Sequence, residues 1–294
     1  MNAAIDECRA VLRSCEAGGD SPEVALMKLL IASESAALVE GLLQRASGHR
    51  YADRVARTMR DHAEGYRRVA AMLASDVDRP PENGTVEEGI RFCQRLFDWS
   101  VAQSEEASVA LYSFGSPLLL REATREIEEL FASWGVLGRD RSALDVGCGI
   151  GRLEEALAPT LGRLVGVDVS GAMVAAARQR CAALPNVTFH ACSGHDLREH
   201  ADGSHDLVFA VDSFPYLVQS GMPLVEAHFH DAQRVLRAGG DFVILEFSYR
   251  EDPARDREDV ARLAASHGFD VLVGGSHPFA IWNGAAFRLQ CRPR

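Results

Sequence analysis

The sequence lacks an excess of positive charge, a CxxC pair, a long uninterrupted apolar run and a phosphate-cradling G-x-x-x-x-G-K-[ST] loop. Each absence removes a class of function. With 31 Lys and Arg against 42 Asp and Glu, the formal net charge is −11. Gripping a phosphate backbone needs a basic surface, so no nucleic-acid partner is expected. The seven cysteines (Cys8, Cys15, Cys93, Cys148, Cys181, Cys192 and Cys291) are odd in number, and none is paired in CxxC spacing. A reduced, cytoplasmic compartment is the simple reading. Residues 1–20 carry charges throughout, without the apolar centre of a signal peptide. The most apolar early stretch, VALMKLLIASESAALVEGLL, is interrupted by Lys28, Glu34 and Glu40. It reads as amphipathic helix, and no membrane span is expected. No HExxH or clustered Cys/His pattern occurs, and His228 and His230, two apart on a helix, point to different faces, so no metal site is expected.

What is present is enough apolar residue, 47%, for a proper core. The first third reads as helical. Ser21-Pro22-Glu23 is a helix start, with Ser as the cap, Pro at the first position and an acid in the first turn. Apolar residues then keep helical spacing to Leu43, again over 51–74, over 86–109, and over 117–134. SDVDRPPENGT breaks this pattern and reads as a loop or linker near 76–86. After Arg141 short β-branched runs alternate with helical ones. Strands are expected at 143–146, 163–168, 187–191, 205–211, 241–247, 270–273 and 286–291, with helices filling the gaps between the first five. Such alternation predicts a parallel sheet covered on both faces. Only GGSHPFAIWNG separates the last two runs, so the final strand is expected to turn back antiparallel.

At the first strand-to-helix junction stands LDVGCGIGR, residues 144–152. Gly147, Gly149 and Gly151 remove Cβ atoms so that backbone and ligand can touch. A dinucleotide loop, G-x-G-x-x-G, would need glycine at 152, where this chain has Arg152. The next strand ends at Asp168, about 20 residues on, where an acid accepts the hydroxyls of a ribose. The loop therefore suits a ligand with a free ribose and no pyrophosphate.

LDVGCGIGR (144–152), GVDVSGAM (166–173), SHDLVFAVDSFPYL (204–217) and RVLRAGGDFVILEF (234–247) occur in this order. Together they resemble the class I S-adenosylmethionine-dependent methyltransferases, over roughly residues 135–294. The resemblance implies an α/β, Rossmann-like, seven-stranded mostly parallel sheet with an antiparallel last strand. The α-helical region 1–134 precedes it, read as an acceptor-selecting lid or a dimer surface. It implies S-adenosyl-L-methionine as cofactor and a small-molecule acceptor, in specialised metabolism, as substrate. Asp145, Gly147, Cys148 and Gly149 would face the methionine part, with Cys148 as a small filler. Asp168 would hold the ribose, with Val169 and Met173 near the adenine. Ser193, Gly194 and His195 would flank the adenine, although many relatives carry an acid at position 193. Asp212 would sit beside the sulfonium. Segments before the first strand often fold over the cofactor in such enzymes, which makes Tyr112 and Phe114 pocket candidates; a packed helix break accounts for them equally well.

Methyl transfer is an in-line displacement, so alignment and exclusion of water matter more than a catalytic base. Candidates at the strand ends are Asp212, Phe214 and Tyr216, then Ser248, Tyr249 and Arg250, then His277, Phe279 and Trp282. The catalytic reading falls on Asp212, Tyr216 and His277. Arg250 is a candidate for an acceptor carboxylate. DSFPY (212–216) is a near miss to the D/N-P-P-Y/F signature of amino-group methyltransferases, which leaves O, N and C acceptors open. Two alternatives stand beside methyl transfer. One is aminocarboxypropyl transfer or cyclisation, which releases methylthioadenosine. The other is a non-catalytic, cofactor-binding partner protein.

Overall fold

A computed structural model describes residues 10–13, 19–33, 35–75 and 84–293. Cys8, Cys15 and most of the expected linker lie outside them. The chain divides into two compact units. One comprises Met1–Val77, Ser100–Glu126 and Phe279–Asn283; the other comprises Asp78–Trp99, Ile127–Pro278 and Gly284–Arg294.

The first unit is helical. Ser21 Oγ accepts from Val24 N at 3.1 Å and starts α1 (Pro22–Ser33). The apolar run to Leu43 was expected to be one helix, but Ser35 interrupts it and caps α2 (Ala36–Arg45), accepting from Leu38 N. The helix expected over 51–74 is also two, α3 (Arg50–Asp61) and α4 (Ala63–Leu73), joined at His62. Gly65 lies in the first turn of α4. A Cβ there would meet the Phe114 carbonyl oxygen at 1.7 Å, so α4 is placed by close backbone approach. Ser104 likewise divides the helix expected over 86–109 into α5 (Val86–Gln103) and α6 (Glu105–Val109), accepting from Ala107 N. Capping hydroxyls compete with the helix ladder, so a Ser inside an apolar period marks a boundary that the period alone conceals. Residues 279–283 are held within this unit. Ser21 Oγ donates to Ile281 O at 2.6 Å, and the Glu126 carboxylate accepts the N–H groups of Ala280 and Ile281.

The second unit is built on a seven-stranded sheet in the order β3-β2-β1-β4-β5-β7-β6. Its strands are β1 (Gly138–Val146), β2 (Leu161–Asp168), β3 (Val187–Ala191), β4 (His205–Val211), β5 (Leu236–Leu245), β6 (Phe269–Ser276) and β7 (Ala286–Cys291). β1 to β5 pair in parallel, while β7 runs antiparallel to both β5 and β6, as the helix-free gap predicts. α7 (Pro117–Ser133) leads into the sheet. α8 (Arg152–Leu157), α9 (Gly171–Arg180), α10 (Phe214–Ser220), α11 (Met222–Val235) and α12 (Pro253–Ser266) make the connections. Leu144, Val165, Val208, Phe242 and Ile244 of the sheet are buried with Val225, Phe229 and Ala232 of α11 and Val260 and Leu263 of α12. Fully burying each of the Leu, Val, Ile and Phe side chains contributes about 1.5–3 kcal/mol.

A helix was expected between every pair of the first five strands. The β3–β4 connection, 192–204, has none. Gly194 and Gly203 there adopt positive φ, and α11 satisfies the backbone instead: Asp231 accepts from Leu197 N at 2.7 Å, and Arg234 donates to the carbonyls of Leu197 and His200.

Candidate functional site

β1 leads to β2 on one side and is flanked by β4 on the other, so the chain reverses direction across the sheet at β1. Ligands of open α/β sheets bind beyond the carboxyl ends of the strands at such a point. The loop after β1 lies there. Gly147, Gly149 and Gly151 all have positive φ, at 90°, 52° and 75°. A Cβ on Gly147 would come within 2.4 Å of the Ser213 Cβ, so this glycine is also required sterically. Ser213 Oγ donates to Val146 O, which ties the start of α10 to the end of β1. The N–H groups of Gly147 and Cys148 both donate to Val167 O, so the loop is anchored to β2.

Asp168 closes this arrangement. Its Oδ2 accepts from Gly149 N and its Oδ1 from Ser170 N, each at 2.9 Å. A carboxylate oxygen accepts more than one bond, so each retains capacity for a ligand hydroxyl. Burial raises the Asp168 carboxyl above the usual range; the two N–H bonds oppose that shift, and Asp98 adds to it. Asp98, from α5, accepts from Ser170 Oγ at 2.6 Å and from Ala172 N at 3.2 Å, covering the start of α9.

The β3–β4 connection completes this side. Gly194 packs so closely that a Cβ would lie 2.6 Å from Val169 Cγ1 and 3.2 Å from Ile90 Cγ2. His195 Nε2 lies 3.3 Å from Glu87 Oε1, and His195 N donates to Ser193 Oγ. A recess of about 220 Å³ is lined here by Val167, Cys192, Ser193, His195 and Asp196, among others. Nine sequence candidates, Asp145, Gly147, Cys148, Gly149, Asp168, Val169, Ser193, Gly194 and His195, thus line up along the ends of β1, β2 and β3. Cys148 packs inside with Val174, Ala177, Cys181 and Phe189, and Met173 is also buried. Tyr112 and Phe114 are buried too, but at the 3₁₀ turn of the helical unit.

On the β4 side, Asp212 adopts a left-handed backbone, φ 59°, immediately after the strand. Aspartate tolerates that region better than most residues. Tyr249 Oη donates to Asp212 Oδ1 at 2.8 Å. The rings of Phe97, Tyr216 and Tyr249 follow edge to face, with centroids 5.0 and 5.7 Å apart. Asp212 is partly buried beside Tyr249, which is 53% exposed; desolvation pushes its carboxyl up to about 6, against the Tyr249 bond and the Arg152 charge, which hold it down. Burial, then the Asp212 charge, keeps the Tyr216 phenol protonated. This side can hold or accept a proton near neutrality.

Other strand-end candidates are placed as follows. Arg250 is engaged by Ser248, Asp256 and Asp259, with Asp259 Oδ2 at 2.9 Å, so it is not free for an acceptor carboxylate. Phe214 is fully buried in the core. Phe279 and Trp282 stack on each other at 5.3 Å within the helical unit. His277 is exposed just past β6. Among the described residues, no cluster of His, Cys, Asp or Glu is arranged to hold a metal ion, and no helix is long and apolar enough to cross a membrane.

The sequence reading missed α5 as the element over the strand ends, although Glu87, Ile90, Phe97 and Asp98 all reach the site. It also missed Glu154. This side chain is fully buried in α8, and neither of its oxygens nor those of Asp145 has a hydrogen-bond donor among the described residues. Gly166 was the available signal. A glycine inside a β-branched strand marks close approach, and a Cβ there would lie 2.5 Å from Glu154 Oε1.

Residues 143–240 match the model of a family described as "Methyltransferase domain". The matched segment spans the glycine loop, Asp168 and Asp212. Members of this family use S-adenosyl-L-methionine. The chain is 32% identical over 110 residues to demethylmenaquinone methyltransferase of Tropheryma whipplei (strain Twist), covering 36% of this chain and 41% of that protein. It is 28% identical over 148 residues to the S-adenosyl-L-methionine-dependent Diels-Alderase iccD of Talaromyces variabilis, covering 49% of each. The chain thus spans half the length or less of these curated relatives. Among solved structures it is similar to Haemonchus contortus phosphoethanolamine N-methyltransferase 1, solved with phosphoethanolamine and S-adenosylhomocysteine. That match has a TM-score of 0.57 and 17% identity, and covers 72% of this chain and 50% of the other. At that identity the likeness concerns the fold alone.

Proposed function

We propose that this protein binds S-adenosyl-L-methionine at the ends of β1, β2 and β3 and directs its methyl group to a small-molecule acceptor on the β4 side. The observation that carries the reading is Asp168, fixed by the N–H groups of Gly149 and Ser170 with acceptor capacity left for two vicinal hydroxyls. The orphaned carboxyl groups of Asp145 and Glu154 beneath the same loop fit a cationic ligand. The cofactor supplies a methyl group already activated on a sulfonium. Asp168 holds the ribose, the Gly147–Gly149 backbone lies along the methionine part, and Ser193, Gly194 and His195 flank the adenine. Net charge −11 supports a small acceptor over nucleic acid.

On the acceptor side, Asp212 receives a proton where the acceptor must lose one, Tyr249 positions the Asp212 carboxylate, and Tyr216 supports Tyr249. His277 has no part in this reading. Because the reaction needs alignment first, Asp212 contributes a factor of about 10²–10⁴ only for an acceptor that carries a proton. The helical unit serves acceptor selection or dimerisation.

The similarity to a protein named as a Diels-Alderase favours carrying a second reading, in which the cofactor is kept and the reaction differs. The co-product separates the two. Incubation with cofactor and a panel of amine, phenol and carbon-acid acceptors yields S-adenosylhomocysteine under methyl transfer. Methylthioadenosine without S-adenosylhomocysteine, or conversion of a substrate with the cofactor left unconsumed, overturns it.

A further inference from the structure

Asp145 and Glu154 form a buried pair that the mechanism above does not require. Asp145 pairs in register with Gly166 of β2, one residue before the end of β1, and Glu154 comes from the first turn of α8. Both side chains are sealed from solvent, at 1% and 0% exposure. Their carboxyl groups lie within hydrogen-bonding reach of each other, and the backbone N–H of Glu154 is a further donor beside the Glu154 carboxyl. The niche is built for this contact, because any side chain at position 166 would collide with Glu154 Oε1. Two carboxylates cannot both be ionised in such a place, since burying one unpaired charge already costs several kcal/mol. One proton between them turns two orphan acceptors into a donor and an acceptor and leaves a single negative charge.

We propose that Asp145 and Glu154 share one proton in the free protein and release it when a cation occupies the crevice beside the glycine loop. Glu154 is then a positioning residue for Asp145. This inference rests on the S-adenosyl-L-methionine reading above. The groups facing the pair are Arg152 from α8, Asp168 from β2, Cys148 from the loop, and Cys181 just past α9. Arg152 favours ionisation and Asp168 opposes it. Burial is the leading cause of the raised carboxyls, and a bound cation acts in the direction of Arg152. The doubly ionised pair therefore binds a cation more tightly than the protonated one, and affinity rises with pH by at most about tenfold per unit.

The test is calorimetric titration of the full chain with S-adenosyl-L-methionine, in two buffers of different ionisation enthalpy, between pH 6 and 8. The wild type is expected to release on the order of one proton per ligand bound more than Glu154→Gln does. The glutamine donates its own N–H to Asp145 and has no proton to give up, so Glu154→Gln should bind with an affinity that no longer climbs with pH. The ligand amine titrates alike in both proteins and cancels in the difference. A second variant, Glu154→Asp, retains the acid and should restore part of the release. Saturable wild-type binding with equal proton counts in wild type and Glu154→Gln overturns this inference and leaves the cofactor reading standing. No wild-type binding overturns both.

Discussion

Replacing Asp168 by alanine should weaken the protein itself before any ligand is considered. The carboxylate accepts two N–H bonds, from Gly149 and Ser170, in a site that is 8% exposed. Leaving a buried donor unsatisfied costs about 1–3 kcal/mol. Two such donors give a ceiling of about 6 kcal/mol. The charge being removed is itself poorly solvated and faces Asp98, so its loss relieves part of that cost. The net expectation is about 2–4 kcal/mol of destabilisation. Asp168→Asn retains one acceptor oxygen but turns an NH₂ group toward the second N–H, and should lose about 1–2 kcal/mol. Urea denaturation followed by circular dichroism measures both, provided the slope with denaturant is unchanged. An alanine variant whose stability lies within about 0.5 kcal/mol of wild type would refute the view that Asp168 fastens the loop to β2. The order wild type, Asn, Ala should also hold for cofactor affinity, and any binding loss must be read after correction for the unfolded fraction.

Three further outcomes follow from the same geometry. The Asp145 and Glu154 carboxyls are raised in the folded state, so their contribution is fully present below the ordinary carboxylate range and is lost as pH rises through the raised value. Stability should fall by up to about 1.4 kcal/mol per pH unit on the way up from mild acid, and Glu154→Gln should flatten that slope in denaturation curves taken between pH 5 and 8. Tyr249→Phe removes the hydroxyl that holds Asp212 down from a still higher value. The acid limb of the pH–rate profile should move to higher pH, with under about 1 kcal/mol lost in stability; an unmoved limb would count against Asp212 as the proton acceptor. Gly166→Ala places a Cβ 2.5 Å from Glu154 Oε1 and 2.8 Å from Cys148 Cβ, and should cost about 1–3 kcal/mol by overpacking; a neutral result in urea would mean that the niche is looser than described.

The parts of this molecule that were legible in the sequence are those set by local periodicity and by glycine. The β-branched runs gave the strands, and the short gap before 286 forced the antiparallel β7. LDVGCGIGR and Asp168 could be paired from their spacing alone, because a parallel neighbour of β1 must end near its loop. What escaped the reading depends on distant partners. The absence of a helix between β3 and β4 follows from Asp231 and Arg234 of α11, which satisfy that backbone from more than thirty positions away. α5 looked like one more amphipathic helix, and nothing in its period shows that Asp98 reaches Ser170. Glu154 has the identity of a surface residue, and only Gly166, across the sheet, reveals its niche. Arg250 looked available because Asp256 and Asp259 become its partners only when α12 folds back on the segment after β5.

The central claim is that the crevice at the ends of β1, β2 and β3 binds S-adenosyl-L-methionine through Asp168. Isothermal titration of wild type with S-adenosylhomocysteine, alongside Asp168→Asn shown to be folded, tests it most directly. Wild type is expected to bind saturably, one to one, and the variant at least about tenfold more weakly, the loss of one charge-assisted hydrogen bond. Binding of equal strength by both proteins, or none by the wild type, would contradict it.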